Sequence, residues 1–244
     1  MEVYWLEQTA ADLPSVDDWL SANEQALLDA MRFAKRRSDW RLGRWTAKNA
    51  LALCFLHLKL PADPQVLASI EIRSASTGAP EAYFGDQPAA ASISLSHRAG
   101  MAACAVTMPG VELGCDLEIV EPRSDAFVAD YFTTAEQSFI AQASVADYPR
   151  LLAMLWSAKE STLKALHEGL RLDTRSVIVS PGDAVFALHG WSAMQVHHVD
   201  HRTFCGWWQH ADGIVRTVVA APPPSPPIRL HFPNYLRDAV SLCA

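Results

Sequence analysis

Val111-Glu112-Leu113-Gly114-Cys115-Asp116-Leu117-Glu118-Ile119-Val120 alternates between apolar and polar residues without a break. Successive side chains of a strand point to opposite faces. Val111, Leu113, Cys115, Leu117 and Ile119 therefore share one face, and Glu112, Gly114, Asp116 and Glu118 the other. The stretch reads as a strand at the middle of the chain, and the elements on its two sides follow a similar order.

Upstream, residues 1–20 read as a strand and a loop. Residues 21–59 read as mainly helical, with Ser21 and Glu24 spaced as a capping box, and Pro61 and Pro64 end that region. Ile70-Glu71-Ile72-Arg73 alternates like a short strand, and Ser74 to Pro80 is loop. Residues 91–120 read as a three-stranded meander with turns at Arg98-Ala99-Gly100 and Pro109-Gly110. Downstream, residues 125–169 read as helices with breaks, stopped by Gly169. Residues 175–220 alternate again, with turns at Pro181-Gly182, Gly190, Gly206 and Asp212-Gly213. The seven residues 221–227 carry five prolines and read as extended polyproline, leading to an amphipathic tail packed back on the body. The reading is α+β: an N-terminal half (1–110), a C-terminal half (111–221) and a proline-rich linker with tail (222–244).

Composition narrows the function. The chain has 244 residues, half of them hydrophobic, so a sizeable core can form. A net charge of −7 argues against general nucleic-acid binding. The longest apolar run, Ala50 to Leu56, is far short of a membrane span. The N-terminus lacks a basic region before an apolar run, so it does not read as a secretory signal. Cys54, Cys104, Cys115, Cys205 and Cys243 are scattered with no Cys-x-x-Cys pair, as expected of free thiols in a reducing cytoplasm.

Four constellations carry chemistry. Trp156-Ser157-Ala158-Lys159-Glu160-Ser161-Thr162-Leu163-Lys164 reads as helix, with Trp156, Glu160 and Lys164 one turn apart on one face. Taken alone, Glu160 and Lys164 are a solvated helix pair. Beside a phosphate they could take a proton and hold charge. Asp116 and Glu118 point to one side of their strand, and a hard divalent cation would relieve their repulsion. Glu136, in Phe132-Thr133-Thr134-Ala135-Glu136, is either a third ligand or a first-turn Glu favoured by the helix dipole. Arg32, Lys35, Arg36, Arg37, Arg41, Arg44 and Lys48 crowd one helix of an acidic chain. Arg37, Arg41, Arg44 and Lys48 form a stripe whose repulsion must be offset by carboxylates elsewhere in the fold or by a bound anion. Ser96 and His97 end a strand, where they can donate to a phosphate. His197, His198 and His201 have no Asp, Glu or Cys at ligand spacing and read as structural or exposed.

The order of these pieces resembles the 4′-phosphopantetheinyl transferases of the large, monomeric, surfactin-synthetase type. Gly114-Cys115-Asp116-Leu117-Glu118 is similar to the family's Gly-Ile-Asp-Ile-Glu motif, and Trp156 to Lys164 to its Trp-Ser-x-Lys-Glu motif. The segment from Arg37 to Lys48 resembles the basic helix of the enterobactin-synthetase branch. The resemblance runs from about residue 35 to about residue 180. It implies two similar α+β halves related by a pseudo-twofold axis, with the active site in the cleft between them. The implied reaction is magnesium-dependent transfer of 4′-phosphopantetheine from coenzyme A to a serine of an acyl carrier protein or peptidyl carrier domain, releasing 3′,5′-ADP. The implied roles are Asp116, Glu118 and Glu136 as Mg2+ ligands, Glu160 as base, and Lys164 on the transferred phosphate. Ser96 and His97, His97 also counted as catalytic, would sit on coenzyme A phosphate, and Arg37, Arg44 and Lys48 on the 3′-phosphate end. The loop Gly78-Ala79-Pro80 would take part in cofactor binding. The chain is then expected to be a cytoplasmic monomer that binds neither nucleic acid nor membrane.

The chain departs from the family pattern in three places. Ala79 stands where a lysine is common between Gly78 and Pro80. Arg98 follows His97 where a Ser is common. Cys115 replaces a β-branched residue. The rival enzyme reading is a magnesium-dependent phosphohydrolase on another phosphate ester, which uses the carboxylates but leaves Trp156 to Lys164 without a role.

Overall fold

The computed structural model describes residues 1–59, 67–181, 187–188 and 190–232. Along the chain run β1 (Tyr4–Thr9), α1 (Ala22–Asp29), α2 (Ala34–His57), β2 (Ile70–Ser74), β3 (Pro80–Phe84), β4 (Gln87–Pro88), β5 (Ser92–Arg98), β6 (Met101–Thr107) and β7 (Glu112–Ile119). There follow α3 (Asp125–Tyr131), α4 (Thr134–Ile140), α5 (Tyr148–Ala165), β8 (Val177–Pro181), β9 (Ala187–Leu188), β10 (Trp191–His198), β11 (Thr203–Ala211), β12 (Ile214–Ala221) and β13 (Ile228–Arg229). The fold is α+β. The chain divides into two units: an N-terminal unit of Tyr4–Pro109 and the segment from Ile228, and a C-terminal unit of Gly110–Pro227 with Met1–Val3.

In the N-terminal unit, Ser21 caps α1, and its side chain and that of Glu24 form the expected box. The helical region 21–59 breaks at residues 30–33 into α1 and α2. The second half of α2 is rich in Ala and Leu, and every residue from Leu42 to Phe55 except Arg44 is buried. A helix end apolar on all sides can only be stable inside a core. It packs on the sheet β13-β1-β6-β5, in which β1 and β13 run parallel and the other neighbours antiparallel. Leu51, Phe55, Tyr4, Leu6, Cys104 and Val106 belong to the core there. A second sheet, β2-β3-β4, lies in the same unit.

In the C-terminal unit the sheet order is β7-β12-β11-β10-β8, with β9 also on β10. The amphipathic α5 carries Pro149 in its first turn, where the missing N–H costs nothing, and packs on β7 and β12. Leu152, Leu155, Leu163, Val196, Phe204 and Val219 belong to this core.

Several expectations need correction. The predicted meander stops at the hairpin of β5 and β6, because β7 pairs with β12 in the other unit's sheet. A loop is expected through Pro80, yet Pro80 begins β3 opposite Ser74. The helix α5 ends at Ala165, before Gly169, and His167 takes the left-handed conformation at φ 58°. The tail contributes β13, and Leu230 packs into the N-terminal core. The expected roles of Pro61, Pro64, Gly182, Cys243 and the tail beyond Phe232 lie outside the described residues.

Candidate active site

Helix α5 runs antiparallel to β7 and very close to it. A Cβ on Gly114 would lie 1.7 Å from the Ser161 carbonyl oxygen and 2.9 Å from the Ala165 amide nitrogen. The glycine of the Gly-x-Asp-x-Glu stretch is thus a contact point for the helix. Two residues on along the same strand face comes Asp116, and two further comes Glu118. Both are buried, at 2% and 6% exposure. The polar face of β7 therefore faces α5, and the opposite residues Leu113, Cys115 and Leu117 are buried too.

Each carboxylate meets a donor. Trp156 Nε1 donates to Glu118 Oε1 at 3.1 Å. Lys164 Nζ donates to Asp116 Oδ1 at 2.7 Å and to the Cys115 carbonyl at 3.0 Å. Trp156, Glu160 and Lys164, one turn apart, bring the two ends of this face to the two carboxylates. Burial disfavours the Lys164 charge, but Asp116, Cys115 and Glu160 outweigh it and hold its pKa above the ordinary lysine value. Glu160, the half-exposed middle of the row, is close enough to Lys164 to act on it electrostatically. Helix and sheet are also joined by hydroxyls: Ser157 Oγ lies 2.8 Å and Ser161 Oγ 2.6 Å from Thr217 Oγ1 on β12, all fully buried.

Of its two expected places, Glu136 takes the first turn of a helix. It closes the capping box at the start of α4, with Oε2 accepting from Thr133 N and Oγ1, each at 2.9 Å. Oε1 accepts from Val179 N at 3.1 Å, and the fully buried Lys159 ammonium lies 2.9 Å from Oε2. Lys159 also donates to the carbonyls of Thr174 and Val177. Burial pulls the Lys159 pKa down and Glu136 opposes the shift. Among the described residues, no three His, Cys, Asp or Glu side chains gather to hold a metal. The expected trio of Asp116, Glu118 and Glu136 is therefore not gathered among the described residues, and the Glu136 carboxylate is engaged by Lys159, Thr133 and Val179.

The remaining predicted residues lie in the N-terminal unit. Arg37 donates to the carbonyls of Leu28 and Met31 at the end of α1. Arg41 pairs with Asp17 at 2.6 Å. Lys48 is fully buried, 2.5 Å from Glu24 Oε2, and donates to the Trp19 carbonyl at 2.8 Å. Arg44 lies over the Trp40 ring, with its Nε 3.9 Å from Glu24 Oε1. Burial lowers the pKa of both Arg44 and Lys48, opposed by Glu24. The repulsion of the basic stripe is thus offset by carboxylates and carbonyls, and Lys48 does not present its charge to an outside anion. Gly78 forms the β2–β3 turn at φ 87° and Pro80 follows in β3. Ser96 is buried and His97 exposed, as adjacent residues of a strand must be when one face is covered. They do not present their side chains to one side.

One residue at the carboxylates has no motif around it. Arg123, in the loop after β7, places Nη2 3.1 Å from Glu118 Oε2 and 3.1 Å from Glu121 Oε1. Its guanidinium also stacks over the Phe127 ring. A lone arginine after a proline gives no sequence signal.

Residues 112–219, from β7 into β12, match the family model described as the 4′-phosphopantetheinyl transferase superfamily. No curated protein matches the chain. Among solved structures, the chain is similar to a holo-(acyl-carrier-protein) synthase from Bacillus anthracis str. Ames in complex with CoA (3′,5′-ADP), at 16% identity. That match covers 44% of this chain and 94% of the other, with a TM-score of 0.35.

Proposed function

We propose that this chain is a phosphopantetheinyl transferase, moving 4′-phosphopantetheine from coenzyme A to a serine hydroxyl of an acyl or peptidyl carrier protein. The observation that carries the reading is the seating of Trp156, Glu160 and Lys164 along the face of β7 that holds Asp116 and Glu118. These are the two stretches on which the resemblance rests, and both fall inside the matched segment. A phosphohydrolase would need the carboxylates but not the helix face.

Asp116 and Glu118 fit a magnesium ion. They are hard oxygen donors on one strand face, and a pair suits an ion that keeps waters and substrate phosphate in its shell. When bound there, the ion would neutralise charge on the pyrophosphate of coenzyme A. The protein's own groups do the rest. Trp156 fixes the Glu118 carboxylate. Two of the three N–H groups of the Lys164 ammonium are engaged by Cys115 and Asp116, which leaves one for an oxygen of the transferred phosphate. Glu160, half-exposed beside that ammonium, accepts the serine proton, directly or through water. His97, exposed at the end of β5, and Arg44 are assigned to coenzyme A phosphates. Lys48 and Arg37 are not, since their charges are turned to Glu24 and to helix carbonyls.

The deciding experiment incubates the protein with coenzyme A, Mg2+ and apo-carrier proteins of fatty-acid, polyketide and peptide systems, read by intact mass. A gain of about 340 Da, the mass of one phosphopantetheine arm, is expected on at least one carrier. Release of inorganic phosphate with no carrier gain would favour the hydrolase instead.

A further inference from the structure

Arg123 is the part of the carboxylate site that the proposed reaction does not use. Its position is specific. Glu118 presents two oxygens: Oε1 takes the Trp156 N–H at 3.1 Å, and Oε2 takes Arg123 Nη2 at 3.1 Å. The same Nη2 lies 3.1 Å from Glu121 Oε1, and the guanidinium centre is 5.1 Å from the centroid of Phe127. Glu118 is nearly buried, at 7% side-chain exposure, whereas Arg123 and Glu121 reach solvent at 26% and 40%. The guanidinium therefore bridges an inner carboxylate and an outer one, with an aromatic face beneath it.

We propose that Arg123 is a built-in competitor for the divalent cation. Its guanidinium and the ion contend for Glu118 Oε2, and Glu121 with the Phe127 ring holds the guanidinium when it gives up that oxygen. The inference rests on the metal reading of Asp116 and Glu118. Physically, two cations cannot share one carboxylate oxygen without repulsion, so ion binding must carry the cost of breaking the pair of Arg123 and Glu118. That cost is modest because Arg123 is partly solvated and keeps a second partner. The arrangement lowers ion affinity while keeping Glu118 oriented on the Trp156 side.

The test is calorimetric binding of Mg2+ to the whole chain, without coenzyme A or carrier. Arg123→Met is expected to tighten binding about two- to fivefold, the range set by a partly exposed ion pair. Unchanged or weaker binding overturns the proposal, the latter making Arg123 a supporting residue. A second variant separates exchange from simple long-range charge. Glu121→Gln removes the outer partner, so it should weaken Mg2+ binding in the native background and have almost no effect in Arg123→Met. An equal effect in both backgrounds is additive, as distant charges are, and also overturns the proposal. Asp116→Asn keeps the two readings apart. If it leaves Mg2+ binding intact, the metal site itself is misassigned. If it abolishes binding while Arg123→Met changes nothing, only the competition fails.

Discussion

Glu160 and Glu136 are both acidic helix residues near a lysine, and their surroundings give them opposite work. Glu160 is half-exposed beside Lys164, whereas Glu136 has 3% exposure and is filled by Thr133, Val179 and Lys159. Glu160→Gln keeps the shape but cannot accept a proton, so transfer should slow by roughly 10²–10⁴-fold while coenzyme A binding holds. Near-native turnover in the intact-mass assay would remove Glu160 from the reaction. Glu136→Gln strands the Lys159 charge in the core. It should cost about 3 kcal/mol in urea unfolding and leave Mg2+ affinity within about twofold; a large loss of Mg2+ affinity would restore Glu136 as a ligand. Lys164 supplies a pH test. Its folded pKa is raised, so its stabilising contribution is complete below the ordinary lysine value of about 10.4 and is lost as pH rises through the folded value. The stability gap between the native chain and Lys164→Met should stay flat from neutral pH to about pH 10 and shrink only above it. A gap that closes near neutrality contradicts the pairing with Asp116.

At the scale of elements, the site is set by how closely α5 can approach β7. Gly114 permits that approach, since any Cβ would overlap the Ser161 carbonyl. Gly114→Ala must push the helix outward, drawing Lys164 from Asp116 and Trp156 from Glu118. A loss of about 1–3 kcal/mol is expected from overpacking, with transfer falling further than stability explains. A variant with native melting and native rate would mean the contact is loose. The same elements show what sequence could and could not reveal. Alternation fixes β7 as a strand and puts Asp116 and Glu118 on one side, and Ser21 with Glu24 marks the start of α1. Alternation does not show that α5 covers the polar face of β7 and buries Asp116 and Glu118. For Glu136 the sequence leaves a first-turn Glu and a ligand open, and only the resemblance implies the ligand; neither records the buried ammonium of Lys159. The partner of Lys48 is hidden in the same way, since Glu24 serves at once as cap and counter-ion across a long sequence separation. Arg123 is silent because its partners are set by a loop rather than by a period.

At the scale of the whole molecule, neither unit is one continuous segment. The chain leaves the C-terminal unit after Val3 and rejoins it at Gly110, then enters the N-terminal unit again at Ile228. Both returns are tied. The Met1 ammonium donates to the Pro223 carbonyl at 3.2 Å, and Ser225 N donates to the Met1 carbonyl at 2.8 Å. At the other end β13 lies parallel to β1, Leu230 N donates to the Trp5 carbonyl at 2.7 Å, and the Leu230 side chain joins the core at 6% exposure. Nothing in the proline-rich sequence before it announces this strand, because two paired residues are too few for a pattern. The short strand nonetheless occupies an edge of the N-terminal sheet, so its anchor should matter more than its length suggests. Leu230→Ala removes a buried side chain from a packed cluster and should cost about 2–4 kcal/mol in urea unfolding. Arg229→Ala, one residue earlier and exposed, should stay within about 0.5 kcal/mol. If Leu230→Ala is as mild as Arg229→Ala, the returning segment is a surface appendage and the N-terminal core closes without it.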